Sequence, residues 1–174
     1  MPPSLAPTFD GKRTIPSPEV TRLMLELLQL TPQDKVLEVG TGSSSQTRAF
    51  AHTGAIIHSV ELEPWIDTTI VVGECVYLHQ GNGLNGLSEH APYSAIVAGC
   101  GVTDVPKAWQ EQLQDGGRLV APVGDPQVQR LTLFRKQGFD LIPQRVAAYV
   151  RFQMLRNPPK PGKIPYQAKH VYAE

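Results

Sequence analysis

The 174-residue chain predicts an α/β protein, a doubly wound, mostly parallel sheet with an antiparallel strand pair at one edge. Three observations carry that prediction. Short apolar runs at 35–39, 55–60, 93–98 and 118–122 alternate with helical segments, as parallel strands buried on both faces do. The first run leads into Gly40-Thr41-Gly42, a tight strand-to-helix turn. Two long alternating segments, 128–136 and 144–155, flank Gly138 and suit an antiparallel pair.

The elements follow in order. Residues 1–16 are proline-rich and read as an arm. Pro18 suits the first turn of a helix with Ser17 as its N-cap. Val20, Leu23, Met24, Leu27 and Leu28 form its 3.6-residue apolar stripe. Thr31-Pro32-Gln33-Asp34 turns the chain into the first strand, 35–39. A short helix at 45–52, a second strand at 55–60 and a weaker third strand at 75–78 come next. The crossover between those strands falls in 64–73, where Thr68-Thr69-Ile70-Val71-Val72 is rich in β-branched residues and predicts a short or poorly formed helix. A fourth strand at 93–98 leads to a helix at 105–114 ended by Gly116-Gly117, then the fifth strand at 118–122. Four prolines mark 157–174 as a tail. The organisation expected is an arm at 1–16, one domain at 17–156 and a tail at 157–174, with homo-oligomerisation through the terminal arms a consequence.

Composition narrows the function classes. Lys+Arg and Asp+Glu both count 16, so the net charge is zero, which argues against a dedicated nucleic-acid binder. No apolar run approaches the ~20 residues of a membrane helix, and Met1-Pro2-Pro3-Ser4 lacks the apolar core of a signal peptide, so a cytoplasmic protein is expected. Cys75 and Cys100 form no paired motif and read as free thiols. His52, His58, His79, His90 and His170 show no ligand spacing, and no metal site is predicted.

Ligands of such sheets bind at the carboxyl ends of the strands. Glycine lets a ligand sit against bare peptide there, and the following N–H groups are free donors. A dinucleotide fingerprint would place a third glycine at 45, where this chain has Ser45. Glu38 lies two residues before Gly40, and a carboxylate there suits a cationic ligand such as the ammonium and sulfonium of S-adenosylmethionine. Glu61, nineteen residues past Gly42, stands where an acid reaches a ribose hydroxyl pair. The ribose acid serves NAD and S-adenosylmethionine alike, so Glu38 tips the choice to the latter.

Thr14-Ile15-Pro16-Ser17-Pro18, residues 36–46, Gly81-Asn82-Gly83, Ala91-Pro92-Tyr93-Ser94-Ala95-Ile96-Val97 and residues 112–124 together resemble the protein-L-isoaspartate O-methyltransferase family. The resemblance runs from about Thr14 to Gly124 and loosely to Leu155. It implies a Rossmann-like methyltransferase sheet, S-adenosylmethionine as cofactor, and a peptide or small-molecule carboxylate as acceptor. The implied cofactor-binding set is Glu38, Gly40, Thr41, Gly42, Ser43, Glu61, Leu62, Asn82 and Gly83; Ser17, one position past the family's serine, is the candidate hydrogen-bond donor to the acceptor carboxylate as well as a helix cap. The chain departs from the family pattern at Pro16, where a serine is usual, at Ser44, which aligns with the third glycine, and at Asn82, which aligns with an aspartate. Only thirteen residues precede Thr14. These departures predict weak isoaspartyl methylation and keep a second reading open, a cofactor-binding module without turnover. An NAD-dependent oxidoreductase is the third reading.

Overall fold

The computed structural model describes residues 8–9, 14–63 and 75–158. The expected crossover at 64–73, most of the N-terminal arm and the tail beyond 158 lie outside them. A two-residue antiparallel pair, β1 (Thr8–Phe9) and β2 (Thr14–Ile15), precedes α1 (Pro18–Leu28). Then come β3 (Lys35–Val39), α2 (Ser45–Ala51), β4 (Ile56–Glu61) and β5 (Val76–Gln80). Two 3₁₀ turns, Gly83–Asn85 and Ser88–His90, lead to β6 (Tyr93–Ala98) and α3 (Lys107–Gln112). β7 (Leu113–Gly124), β8 (Gln129–Gln137) and β9 (Asp140–Val150) close the chain's regular structure.

The seven-stranded sheet has the order β5-β4-β3-β6-β7-β8-β9. Neighbours from β5 to β7 are parallel, while β7–β8 and β8–β9 are antiparallel. The doubly wound sheet with its antiparallel edge is therefore as the sequence predicts. The order reverses direction between β3 and β6, which opens a crevice at their carboxyl ends.

Strand pleat sorts the apolar runs into two cores. Val36, Ile57, Ala95, Val97 and Val120 pack with Val20, Met24 and Leu28 of α1 and Phe50 of α2. Leu37, Val39, Val60, Ile96 and Leu119 pack on the other face with Trp109 of α3. At the sheet's amino edge Arg118 ties three elements together. It donates to Leu28 O at 2.6 Å and to Asp34 Oδ1 at 3.0 Å, while Ser94 Oγ also donates to Asp34 at 2.7 Å.

Several boundaries differ from the sequence reading, each for a local reason. The helix expected at 105–114 is only Lys107–Gln112, because Pro106 sets its start and disfavours helical backbone at Val105. Its end comes early because Leu113 is buried and pairs with Tyr93, so β7 begins there. The third strand lies at 76–80 rather than 75–78. The last strand begins at Asp140 rather than 144, since Gly138 at φ +62 makes a two-residue hairpin that pairs Gln137 with Asp140. Past Val150 the chain leaves the sheet and returns to the carboxyl edge. Gly101 N–H donates to Gln153 O at 2.9 Å, and Leu155 N–H to Gly101 O at 2.8 Å.

Candidate cofactor site

The site is built on the turn after β3. Gly40 has φ +90 and Gly42 φ +53, both in the left-handed half that glycine tolerates. Ser44 also lies there, at φ 61, in the conformation that glycine would take freely. Neighbouring strands hold the turn. Gly40 N–H donates to Val60 O at 2.9 Å, and Gly99 N–H to Val39 O at 2.8 Å. A Cβ on Gly99 would lie 2.8 Å from Gly40 O, so this glycine lets the end of β6 approach the turn. A Cβ on Gly42 would meet nothing within 4 Å.

Glu38 sits beneath this turn and is fully buried. Its Oε2 accepts from Thr47 Oγ1 and Ser59 Oγ, each at 2.6 Å. Ser59 has one hydroxyl proton, so Thr41 Oγ1 must donate to Ser59 Oγ across their 2.6 Å contact. Oε1 of Glu38 has no partner among the described residues. Burial pushes this carboxyl up to about 7, against the bonds from Ser59 and Thr47 and with help from the charge of Glu61. Glu38 and Thr41 therefore support the turn from behind and do not line the cleft.

Glu61 stands in front. Its Oε2 accepts from Gly42 N–H at 2.9 Å, and its Oε1 from Leu62 N–H at 2.9 Å and Glu63 N–H at 3.2 Å. The carboxylate thus bridges the ends of β3 and β4. It lines a cleft that is open to solvent on one side. Gly40, Gly42, Leu62 and Gly83 also line it, as do Gly99 and Cys100 after β6. The far wall is Gln153, Met154, Leu155 and Arg156, the first three of which the sequence reading placed in a strand. Arg156 pairs with Glu63 at 3.6 Å across the mouth. Burial, then the charges of Glu61 and Glu38, push the Cys100 thiol up to about 12, which disfavours its thiolate near neutral pH.

The other expected residues fall as follows. Gly83 is fixed by Trp109, whose Nε1 donates to Gly83 O at 2.7 Å. Asn82 does not line the cleft, and its Oδ1 accepts from Leu84 N–H at 3.1 Å to cap the 3₁₀ turn. Ser43 Oγ donates to Ser45 Oγ at 3.1 Å at the outer side of the turn. Ser17 caps α1, accepting from Val20 N–H at 3.3 Å, and does not line the cleft. Linear spacing hid one grouping. His58, His79 and His90 come together on one face of β4 and β5. Burial, then His90 and His79, lower His58 to about 4. Among the described residues, no helix is long and apolar enough to cross a membrane.

A parallel sheet with an antiparallel edge, a glycine turn at its switch point and an acid at the end of the next strand define a Rossmann-like methyltransferase fold. The family profile described as protein-L-isoaspartate(D-aspartate) O-methyltransferase matches residues 5–157. A protein-L-isoaspartate O-methyltransferase of Roseiflexus sp. is 37% identical over 152 residues, 84% of this chain and 69% of its own length. One from Flavobacterium psychrophilum is 37% identical over 70% of this chain and 60% of its own. A solved protein-L-isoaspartate O-methyltransferase is 26% identical with a TM-score of 0.76, covering 86% of this chain and 51% of that one. A candidate protein-L-isoaspartate O-methyltransferase from Plasmodium falciparum, solved with S-adenosyl-L-homocysteine, is 17% identical with a TM-score of 0.70, covering 87% of this chain and 80% of that one. The chain belongs to the protein-L-isoaspartate O-methyltransferase family.

Proposed function

We propose that this chain is an S-adenosylmethionine-dependent O-methyltransferase whose acceptor is the isoaspartyl carboxylate of a peptide. The observation that carries the reading is the pairing of Glu61 with the Gly42 turn in a cleft at the switch point, within a chain of this family. The residues fit that cofactor. The space in front of Gly42 is open, and the Glu61 carboxylate offers acceptors for ribose hydroxyls. Past β5, Gly83 lines the cleft, and Asn82 caps the 3₁₀ turn that begins at Gly83. When bound, the cofactor supplies a methyl group on a sulfonium for in-line displacement.

The chain's own part is alignment. A carboxylate acceptor with a pKa near ~4 is ionised at neutral pH, so no general base is needed. In keeping with that, burial holds the Cys100 thiol, the cysteine among the described lining residues, in its protonated form. The free thiols Cys75 and Cys100 suit a cytoplasmic setting. NAD chemistry is disfavoured by the missing third glycine.

A methyl-transfer assay on an isoaspartyl peptide beside its aspartyl counterpart tests the reading. Ester is expected on the first and not on the second. Pro16 has no hydroxyl to offer the acceptor, so the rate is expected to be low and to rise in Pro16→Ser. Binding of S-adenosyl-L-homocysteine with no transfer to either peptide or to a panel of small carboxylates would instead make the chain a cofactor-binding module.

A further inference from the structure

We propose that His58, His79 and His90 form a site for one divalent transition-metal ion of the zinc class, with three imidazole ligands and water as the fourth. Their ligand nitrogens all lie within 4.8 Å of one another. His58 Nδ1 and His79 Nε2 are 3.1 Å apart. A tetrahedral zinc ion with bonds of about 2.0–2.1 Å holds its nitrogens about 3.4 Å apart, so this pair already stands near ligand spacing. The rings are now stacked, His58 on His90 at 4.2 Å between centroids and on His79 at 5.3 Å. Convergence on an ion asks for rotation about χ2, a broad torsion in histidine.

The three come from separate elements that are each held in place. His58 lies inside β4, buried, with Tyr77 stacked on it at 5.0 Å and Tyr93 edge-on at 6.2 Å. His79 lies two residues past Tyr77 on β5. His90 ends the second 3₁₀ turn, whose preceding Leu87 is pinned from both sides. Tyr93 Oη donates to Leu87 O at 2.6 Å, and Leu87 N–H donates to Gln112 Oε1 at 2.8 Å. His79 and His90 are half-buried, which leaves an ion access from solvent. No other hydrogen bond is made by the three rings' nitrogens among the described residues. The charged groups facing the cluster are Lys35, which opposes a cation, and Glu89, which favours one. An all-imidazole set selects zinc, nickel or copper over magnesium or calcium. Bound there, the ion would clip the edge strand β5 and the 88–90 turn to β4. None of the three lines the cofactor cleft, so this inference stands apart from the proposed activity.

Titration of the intact chain with zinc chloride, followed by calorimetry, tests the site. One ion per chain is expected, bound at least 100-fold more weakly by His79→Ala and by His90→Ala and equally well by His52→Ala and Cys75→Ser. The thermal midpoint is expected to rise with zinc in the wild type and not in the two site variants. Cobalt(II) bound to the wild type gives a readout that needs no variant: tetrahedral d–d bands without the intense sulfur-to-cobalt band that a cysteine ligand adds. No uptake of zinc, uptake lost in Cys75→Ser alone, or binding kept in both histidine variants would overturn the proposal and leave a metal-free aromatic stack.

Discussion

At the scale of single residues, the glycine turn separates two constraints that a sequence pattern merges. Gly42 has a left-handed φ and an open space where a Cβ would go, so a side chain there meets backbone strain but no protein atom. Gly42→Val is therefore expected to fold with a loss of about 1–2 kcal/mol, the cost of left-handed backbone, while losing cofactor binding. Thermal unfolding and calorimetry on the same sample check both halves. Ser44 has the left-handed conformation without being glycine. Ser44→Gly relieves about 1–2 kcal/mol of strain, offset by about 0.4–1 kcal/mol of chain entropy and by the lost bond from Ser44 Oγ to Ser43 O. Its stability should stay within about 1 kcal/mol of wild type and its affinity for S-adenosyl-L-homocysteine within about threefold. Loss of binding in that variant would mean that Ser44 touches the ligand directly.

At the scale of elements, α1 offers a test of what Ser17 does. Its hydroxyl caps the helix, so Ser17→Ala should cost about 0.5–2 kcal/mol, and Ser17→Gly only a few tenths. If Ser17→Gly, with the cap largely preserved, also loses most of its methyl transfer, the serine has a second role at the acceptor. Elements whose signals are local were legible in the sequence. Lys35–Val39 and Tyr93–Ala98 are matched residue for residue because both are apolar runs closed by a turn. The start of α1 was legible because Ser17 and Pro18 mark it. What stayed hidden depends on contacts far apart in the chain. Leu113 leaves the helix because Tyr93 is there to pair with it, and residues 153–156 wall the cleft because Gly101 receives them. The two acids beside the glycine turn show the same division. The spacing of Glu61 from Gly42 was readable, whereas the position of Glu38 behind the turn depends on Thr47 and Ser59.

At the scale of the whole molecule, buried titratable groups set the pH dependence of stability. The folded value of Glu38, about 7, lies above its ordinary 4.5, so its stabilising contribution is full below pH 4.5 and is lost as pH rises to about 7. His58, lowered to about 4, acts in the opposite sense, its contribution lost as pH falls from 6.5 toward 4. Asp34 is also raised by burial, but bonds from Ser94, Thr31 and Arg118 outweigh that and hold it below its ordinary value. Its contribution is lost only as pH falls through that lowered value. The Glu38 part is isolated by comparing wild type with Glu38→Gln. Between pH 5 and 8 the variant should gain about 2–3 kcal/mol relative to wild type in urea unfolding. Parallel curves would show that Glu38 is not the titrating group. The central claim, that the turn at Gly42 and the carboxylate of Glu61 form a cofactor site, is tested most directly by calorimetry of S-adenosyl-L-homocysteine against wild type and Glu61→Ala. Hydrogen bonds to a charged acceptor contribute about 1.5–3 kcal/mol, so one site per chain is expected, weakened about 10- to 150-fold by the substitution. No binding to the wild type, or the same dissociation constant in both proteins, would contradict the account.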